Sequence, residues 1–234
     1  MNQDQKLEVF QAQVRNTREL DQAWKHLKRS INLDLISNNH TSARIHTKTL
    51  ALIYCAWTEA VFSKLIHTPY GFDLDEIGQI KIAQRASIVN AWNKCIELAL
   101  AKVGRRDGSY IPNIRQRLQR LINEYIETPS LIRNKIAHGQ WVCALNRENT
   151  SKNNELTFKI ADLDIVKLDI LKQAFQGTAD IVEAMIESPE RAFHRDYWPL
   201  LTKLEEQLQE SQRHTLTEKI ARLKSKASRT TRIK

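Results

Sequence analysis

Apolar residues recur along most of this chain at steps of three and four, the spacing that lines one face of an α-helix. From Ala43 to His67, Ile45, Ile53, Trp57, Val61 and Leu65 lie on one such row, broken only at Thr49, and Leu50 and Tyr54 widen it. The row predicts a long, largely buried helix. Val89, Trp92, Ile96, Ala99 and Val103 predict a second, and Ile114, Leu118, Leu121, Ile122, Tyr125 and Ile126 a third. Between Asp164 and Ile186, Leu168, Leu171, Phe175, Thr178, Val182 and Met185 predict another long helix, and Leu201, Leu204 and Leu208 continue the period after "YWP". Leu7 to Leu35 reads as one or two helices with a more charged surface.

One stretch departs from this period. Residues 141–145 and 156–160 read as short extended segments around a polar loop, "NRENTSKNN", and predict a two-stranded β-hairpin with a mobile, solvated tip. The expected fold is therefore an all-α helical bundle carrying a small β-hairpin insertion. We assign a single domain over 1–212, with N-terminal helices in 1–42, a core in 43–187 and a C-terminal helix in 196–212. A basic, partly disordered tail follows at 213–234.

A chain of 234 residues, 41% hydrophobic and with only 6 Gly and 5 Pro, can bury one sizeable core. It has no run of 18 apolar residues, and "MNQDQKLEVFQAQ" lacks the regions of a signal peptide, so a cytoplasmic protein without a membrane partner is expected. Cys55, Cys95 and Cys143 are odd in number and widely spaced, which suggests neither a disulfide framework nor a zinc site. His26, His40, His46, His67, His194 and His214 show no ligand spacing, and no phosphate-binding glycine loop occurs. No metal or cofactor is expected.

The net charge of +9 is unevenly placed. From Arg213 to Lys234, eight Lys or Arg stand against one acid, Glu218. This segment suits phosphates or an acidic partner, and it equally suits a solvated end. Lys102, Arg105, Arg106, Arg115, Arg117 and Arg120 form a second basic cluster around "RRDGSYIP", open to nucleic acid or to solvent.

The candidate chemistry lies in "TPSLIRNKIAHGQW", residues 128–141. Thr128 suits an N-cap, Pro129 the first helical position and Gly139 the left-handed position after the last turn. With about 100° per residue, Arg133, Asn134, Ala137 and His138 share an arc of roughly 140°, while Ile132 and Ile136 point the other way. Asn134, four residues before His138, is expected to reach and orient the imidazole. Arg133 suits a phosphate or the charge on a pentacoordinate phosphorus, and His138 suits proton transfer. The plain alternative is Arg133 in a surface ion pair, His138 as a C-cap and Asn134 bonded to backbone.

Arg133 to His138, "RNKIAH", resembles the R-N-x-x-x-H form of the Rx4–6H motif of HEPN domains (higher eukaryotes and prokaryotes nucleotide-binding). The buried helix "LALIYCAWTEAVFSKLIH" is also similar to one in that family, and the resemblance spans about residues 43–187. It implies a metal-independent endoribonuclease acting as a homodimer with a composite cleft and leaving 2′,3′-cyclic phosphate ends or their hydrolysed form. Arg133 would stabilise the scissile phosphate, His138 would move protons and Asn134 would support them. Glu59 resembles a supporting polar residue of some members, though it also suits a structural or exposed carboxylate. Lys135, Trp141, Arg115, Arg117 and Arg120 are further candidate RNA contacts, with core packing the alternative for Trp141. Such proteins serve as toxins or effectors in bacterial toxin–antitoxin or anti-phage systems, restrained by an antitoxin or defence partner. Some carry a modifiable Tyr two residues after the motif His, where this chain has Gln140. The alternative is a non-catalytic HEPN-like module that binds RNA, a nucleotide or a defence partner.

Overall fold

The computed structural model describes residues 1–104, 110–189 and 192–231. Helix α1 spans Gln3–Ile36 and α2 spans His40–Ile66, and the two pack along their lengths as an antiparallel pair. The turn between them closes through Asn38 at φ 58° and Asn39, whose side chain caps α2 by accepting from the Ser42 N–H. Helices α3 (Leu74–Ala86) and α4 (Ile88–Lys102) follow, then α5 (Tyr110–Ile122). A π-helical turn over Asn123–Glu127 joins α5 to α6 (Thr128–Ala137). After α7 (Asn154–Ala161), the long α8 (Ile165–Glu187) pairs with α9 (Ala192–Ser211), and α10 (Leu216–Thr231) lies against α1 and α8.

The core is organised by aromatic rings from four helices. Trp24 of α1 lies 6.3 Å from Tyr54, Tyr54 lies 6.3 Å from Trp57, and Trp57 meets Phe175 of α8 edge-on at 5.7 Å. Phe175 in turn meets Trp92 of α4 at 5.3 Å, and Trp92 meets Phe62 at 4.9 Å. Trp57, Trp92, Phe62 and Phe175 are at most 2% exposed. Such pairs add to area burial because ring edges carry partial positive charge and ring faces negative. Lys172 of α8 stands 3.9 Å above Trp57 and 5.6 Å from Trp24, and its ammonium is paired with Asp21 of α1 at 2.7 Å. Helix α2 is long and apolar enough to cross a membrane by length and composition, but Leu50, Tyr54, Trp57, Val61, Phe62, Leu65 and Ile66 are buried in this core.

The all-α class agrees with the expectation, whereas the β-hairpin does not form. Residues 156–160 belong to α7, and 141–145 form no strand; one isolated bridge joins Leu145 to Lys152. The alternation Leu156, Phe158, Ile160 is misleading because Phe158 is 70% exposed, while Leu156 and Ile160, one helical turn apart, face inward. Asn153 starts the helix by accepting from the Leu156 N–H at 2.9 Å. The loop before it is closed on itself, with Asn146 Oδ1 accepting from the Thr150 N–H at 2.8 Å. The basic end differs likewise: Leu216, Ile220 and Leu223 of α10 pack against the core, so this stretch is helical where a partly disordered tail is expected. Helix α3 is absent from the periodicity reading, yet its start is written in a capping box, with Asp73 accepting from the Glu76 N–H and Glu76 from the Asp73 N–H.

Helices α8 and α9 approach closely at Gly177, where a Cβ would meet the Leu204 side chain at 2.5 Å. We expect Gly177→Val to cost about 1–3 kcal/mol through overpacking, read as a lowered urea midpoint, and Leu204→Ala in the same chain to recover part of the loss. Lys48 is buried in α2 and donates to the Ile160 carbonyl at the end of α7. Burial first, and Arg44 second, push its ammonium down to about 8 from the ordinary 10.5. The unfolded chain then holds this proton more tightly than the folded one, so the residue's contribution to stability rises as pH climbs from about 8 towards 10.5. Urea melts at pH 7.5 and 9.5 check this: the change in midpoint between them should be more positive in the wild type than in Lys48→Met.

Candidate functional site

Helix α6 is held from beneath and ended firmly. Ile136 is 1% exposed and Ile132 packs against the core, which fixes the face turned towards α2 and α7. Its start differs from the expected Thr128 cap. The backbone enters from the π turn with Glu127 in the right-handed helical region and no side-chain cap, so the motif helix continues α5. At its end the Gly139 N–H bonds to the Ile136 carbonyl and the Gln140 N–H to the Lys135 carbonyl, with Gly139 at φ 78°. This pair of bonds is a Schellman closure, and it needs the residue type that tolerates a left-handed backbone.

The arc above this anchor holds Arg133, Asn134, Ala137 and His138, of which the last three are exposed. Arg133 Nη1 donates to Glu59 Oε1 of α2 at 2.5 Å, a contact between residues 74 positions apart. Arg133 Nη2 reaches Asn134 Oδ1 at 3.4 Å. The expected bond between Asn134 and His138 is not formed. His138 is the C-cap, at φ −90° and ψ 20°, with its backbone N–H still bonded to the Asn134 carbonyl at 3.1 Å, while the Asn134 side-chain oxygen is taken up by Arg133. Its exposed imidazole has no hydrogen bond among the described residues.

The other candidates divide by what they already hold. Lys135 Nζ donates to the Leu145 carbonyl at 2.6 Å, and Trp141 Nε1 donates to the Ile136 carbonyl at 3.0 Å from a half-buried position. Both tie the segment after Gly139 back to α6. Arg117 grips Glu205 of α9 through two bonds, at 3.2 and 2.6 Å. Lys102 is paired with Glu76 at 2.8 Å. Arg115 and Arg120 are exposed and form no ion pair among the described residues; they line a shallow hollow along α5 with Gln116, Gln119 and Asn123. Arg105 and Arg106, and the side chains of Thr128, His194 and Trp198, lie outside the described residues.

Sequence reasoning missed a groove of about 620 Å³ beside Glu59, between α1, α2 and α3. Asn16, Glu19, Ser63 and Lys81 are among its polar groups, and because these come from three helices no local motif signals them. Cys55 stands one turn before Glu59. Its thiol is pushed up to about 12 because burial outweighs the pull of Arg133, so at neutral pH it is a thiol and a poor nucleophile. Among the described residues no group of three or more His, Cys, Asp or Glu side chains converges as a metal site requires.

Comparison with known protein families, with curated proteins and with solved structures finds no match to this chain.

The three cysteines are free; Cys95 is buried with its thiol pushed up by burial, and Cys143 is exposed. We expect one fast-reacting thiol per native chain towards a disulfide reagent at pH 8. Cys143→Ser should remove that phase, and a fast phase persisting in this variant would contradict the partly buried, protonated state of Cys55.

Proposed function

We propose that this protein is a metal-independent endoribonuclease of the HEPN type, acting as a homodimer. The observation that carries the reading is the polar arc at the end of α6, where Arg133 meets Asn134 and the exposed His138 caps the last turn, on a helix anchored by Ile132 and Ile136. One imidazole would take the proton of a ribose 2′-hydroxyl as that oxygen attacks the neighbouring phosphorus. Arg133 would neutralise the charge that builds on the phosphorane oxygens. The bond to the 5′-oxygen then breaks, and an imidazolium, in a dimer the second copy's, returns a proton to it. The products are a 2′,3′-cyclic phosphate and a 5′-hydroxyl.

A second copy is part of this reading because one α6 supplies a single imidazole with no group to orient it. Support comes from an exposed apolar side chain on the motif helix, Leu131 of α6 at 50%, together with the small Ala137 in the arc. Glu59 occupies Arg133 in the free protein, so an incoming phosphate exchanges one carboxylate for another anion at the same guanidinium. A role as a toxin or defence effector held in check by a partner belongs to the same proposal, and it rests on the resemblance of "RNKIAH".

The test is cleavage of a labelled single-stranded RNA in EDTA, with mapping of the ends. Arg133→Ala and His138→Ala are each expected to lower the rate by about 10²-fold or more, with circular dichroism and sedimentation unchanged from wild type. Equal rates in wild type and both variants would remove the catalytic reading and leave a binding module. A monomer at micromolar concentration would remove the composite site.

A further inference from the structure

The basic end of the chain acquires an address in the fold. Leu216, Ile220 and Leu223 turn one face of α10 onto the bundle, while Arg222, Lys226 and Arg229 recur at steps of four and three on an exposed face, a stripe of roughly 10 Å. At the head of this stripe lies a groove of about 770 Å³ between α1, α8 and α10, lined by Lys28, Asp169, Arg213, His214, Lys219 and Arg222 among others. Asp169 serves two cations at once, with Lys28 Nζ at 2.7 Å and Lys219 Nζ at 3.7 Å. Glu218, the second carboxylate on the groove, is occupied in its own helix cap, accepting from the Thr215 N–H at 2.9 Å and hydroxyl at 3.1 Å. Arg213, Arg222 and Arg229 form no ion pair among the described residues. Lys219 is half-buried and its ammonium is held below the ordinary lysine value, by burial first, with Lys28 and Arg222 adding repulsion against the pull of Asp169. The groove thus holds mutually repelling cations in excess of its carboxylates, and another anion would relieve them.

We infer that this groove and the α10 stripe form a docking track for the phosphate backbone of single-stranded RNA. The choice of RNA rests on the ribonuclease reading. A linear run of cations suits a chain of phosphates better than a lone anion, and a lipid surface is disfavoured because the apolar face of α10 is packed against α1 and α8 and is not free to insert. The track lies on α1, α8 and α10, whereas the α6 face lies beside α2 and α7, so the two can be tested apart.

The experiment is fluorescence anisotropy of a labelled oligouridine in EDTA across a salt series. The full chain carries His138→Ala to keep the RNA intact and is compared with and without Arg213→Gln, Arg222→Gln and Arg229→Gln together. All three side chains are exposed, and circular dichroism checks that the helices persist. The triple variant is expected to bind roughly tenfold or more weakly near 0.15 M salt, with a log–log salt slope shallower by about 2, since each single-strand phosphate contact contributes about 0.7. Wild-type affinity and slope in the triple variant would overturn the inference, as would a parent that binds no RNA. Binding to phosphatidylserine vesicles that the substitutions abolish, with RNA binding unchanged, would overturn it in favour of a membrane. Cleavage is measured separately with His138 intact. Stripe-dependent binding without cleavage leaves the track standing and removes the ribonuclease reading; cleavage with stripe-independent binding does the reverse.

Discussion

The packing of aromatic rings across α1, α2, α4 and α8 is the constraint on which the rest of the molecule depends. Trp57 of α2 and Trp92 of α4 both meet Phe175 of α8, so three helices are spaced around a single side chain of fixed shape. Lys172 extends the same arrangement outward, with its ammonium over two indole rings and its charge balanced by Asp21. The cost of this core is visible too: the indole N–H groups of Trp57 and Trp92 are buried without a hydrogen-bond partner. An unmet buried donor costs about 1–3 kcal/mol, and the ring contacts and buried area offset it. Helix α2 is thereby immobilised, and with it Glu59, the residue that holds Arg133 in place.

How much of this was legible in the sequence follows from how local each signal is. The long helices were, because Trp57, Val61 and Leu65, or Leu168, Leu171 and Phe175, repeat the period many times. Short elements were not. Leu156, Phe158 and Ile160 fit a strand and a helix equally well, and the choice was made by the Asn153 cap and by which side chains the core could take. Helix α3 does carry a short period in Leu74, Ile77 and Ile80, and the clearest mark of its start is the pair Asp73 and Glu76. Charge dominates the composition of the C-terminal segment, whereas Leu216, Ile220 and Leu223 decide its structure.

The candidate site shows the same division. Arg133, Asn134 and His138 could be placed on one arc because they lie within a single helix. The partner of Arg133 could not be fixed from periodicity, since Glu59 is 74 residues away and reaches the motif only through the packing of α2 on α6. Lys135 and Trp141 sit beside the motif and invite a role with substrate, yet their donors are bonded to the carbonyls of Leu145 and Ile136. Their work is to shape the end of α6, which leaves the ligand-facing chemistry to fewer side chains than the local sequence suggests.

The π turn over Asn123–Glu127 gives this economy a further meaning. A π turn carries one residue more than the α turn it replaces, yet it completes the same circuit of the helix. The helix could heal over a deletion there with its length and hydrogen bonding nearly intact. The arc of Arg133 and His138 would then keep its bearing on Glu59, whereas a deletion in the regular turns of α5 would rotate it by about 100°. The π turn is therefore a residue of slack upstream of the motif, where the chain can change length without redirecting its polar face.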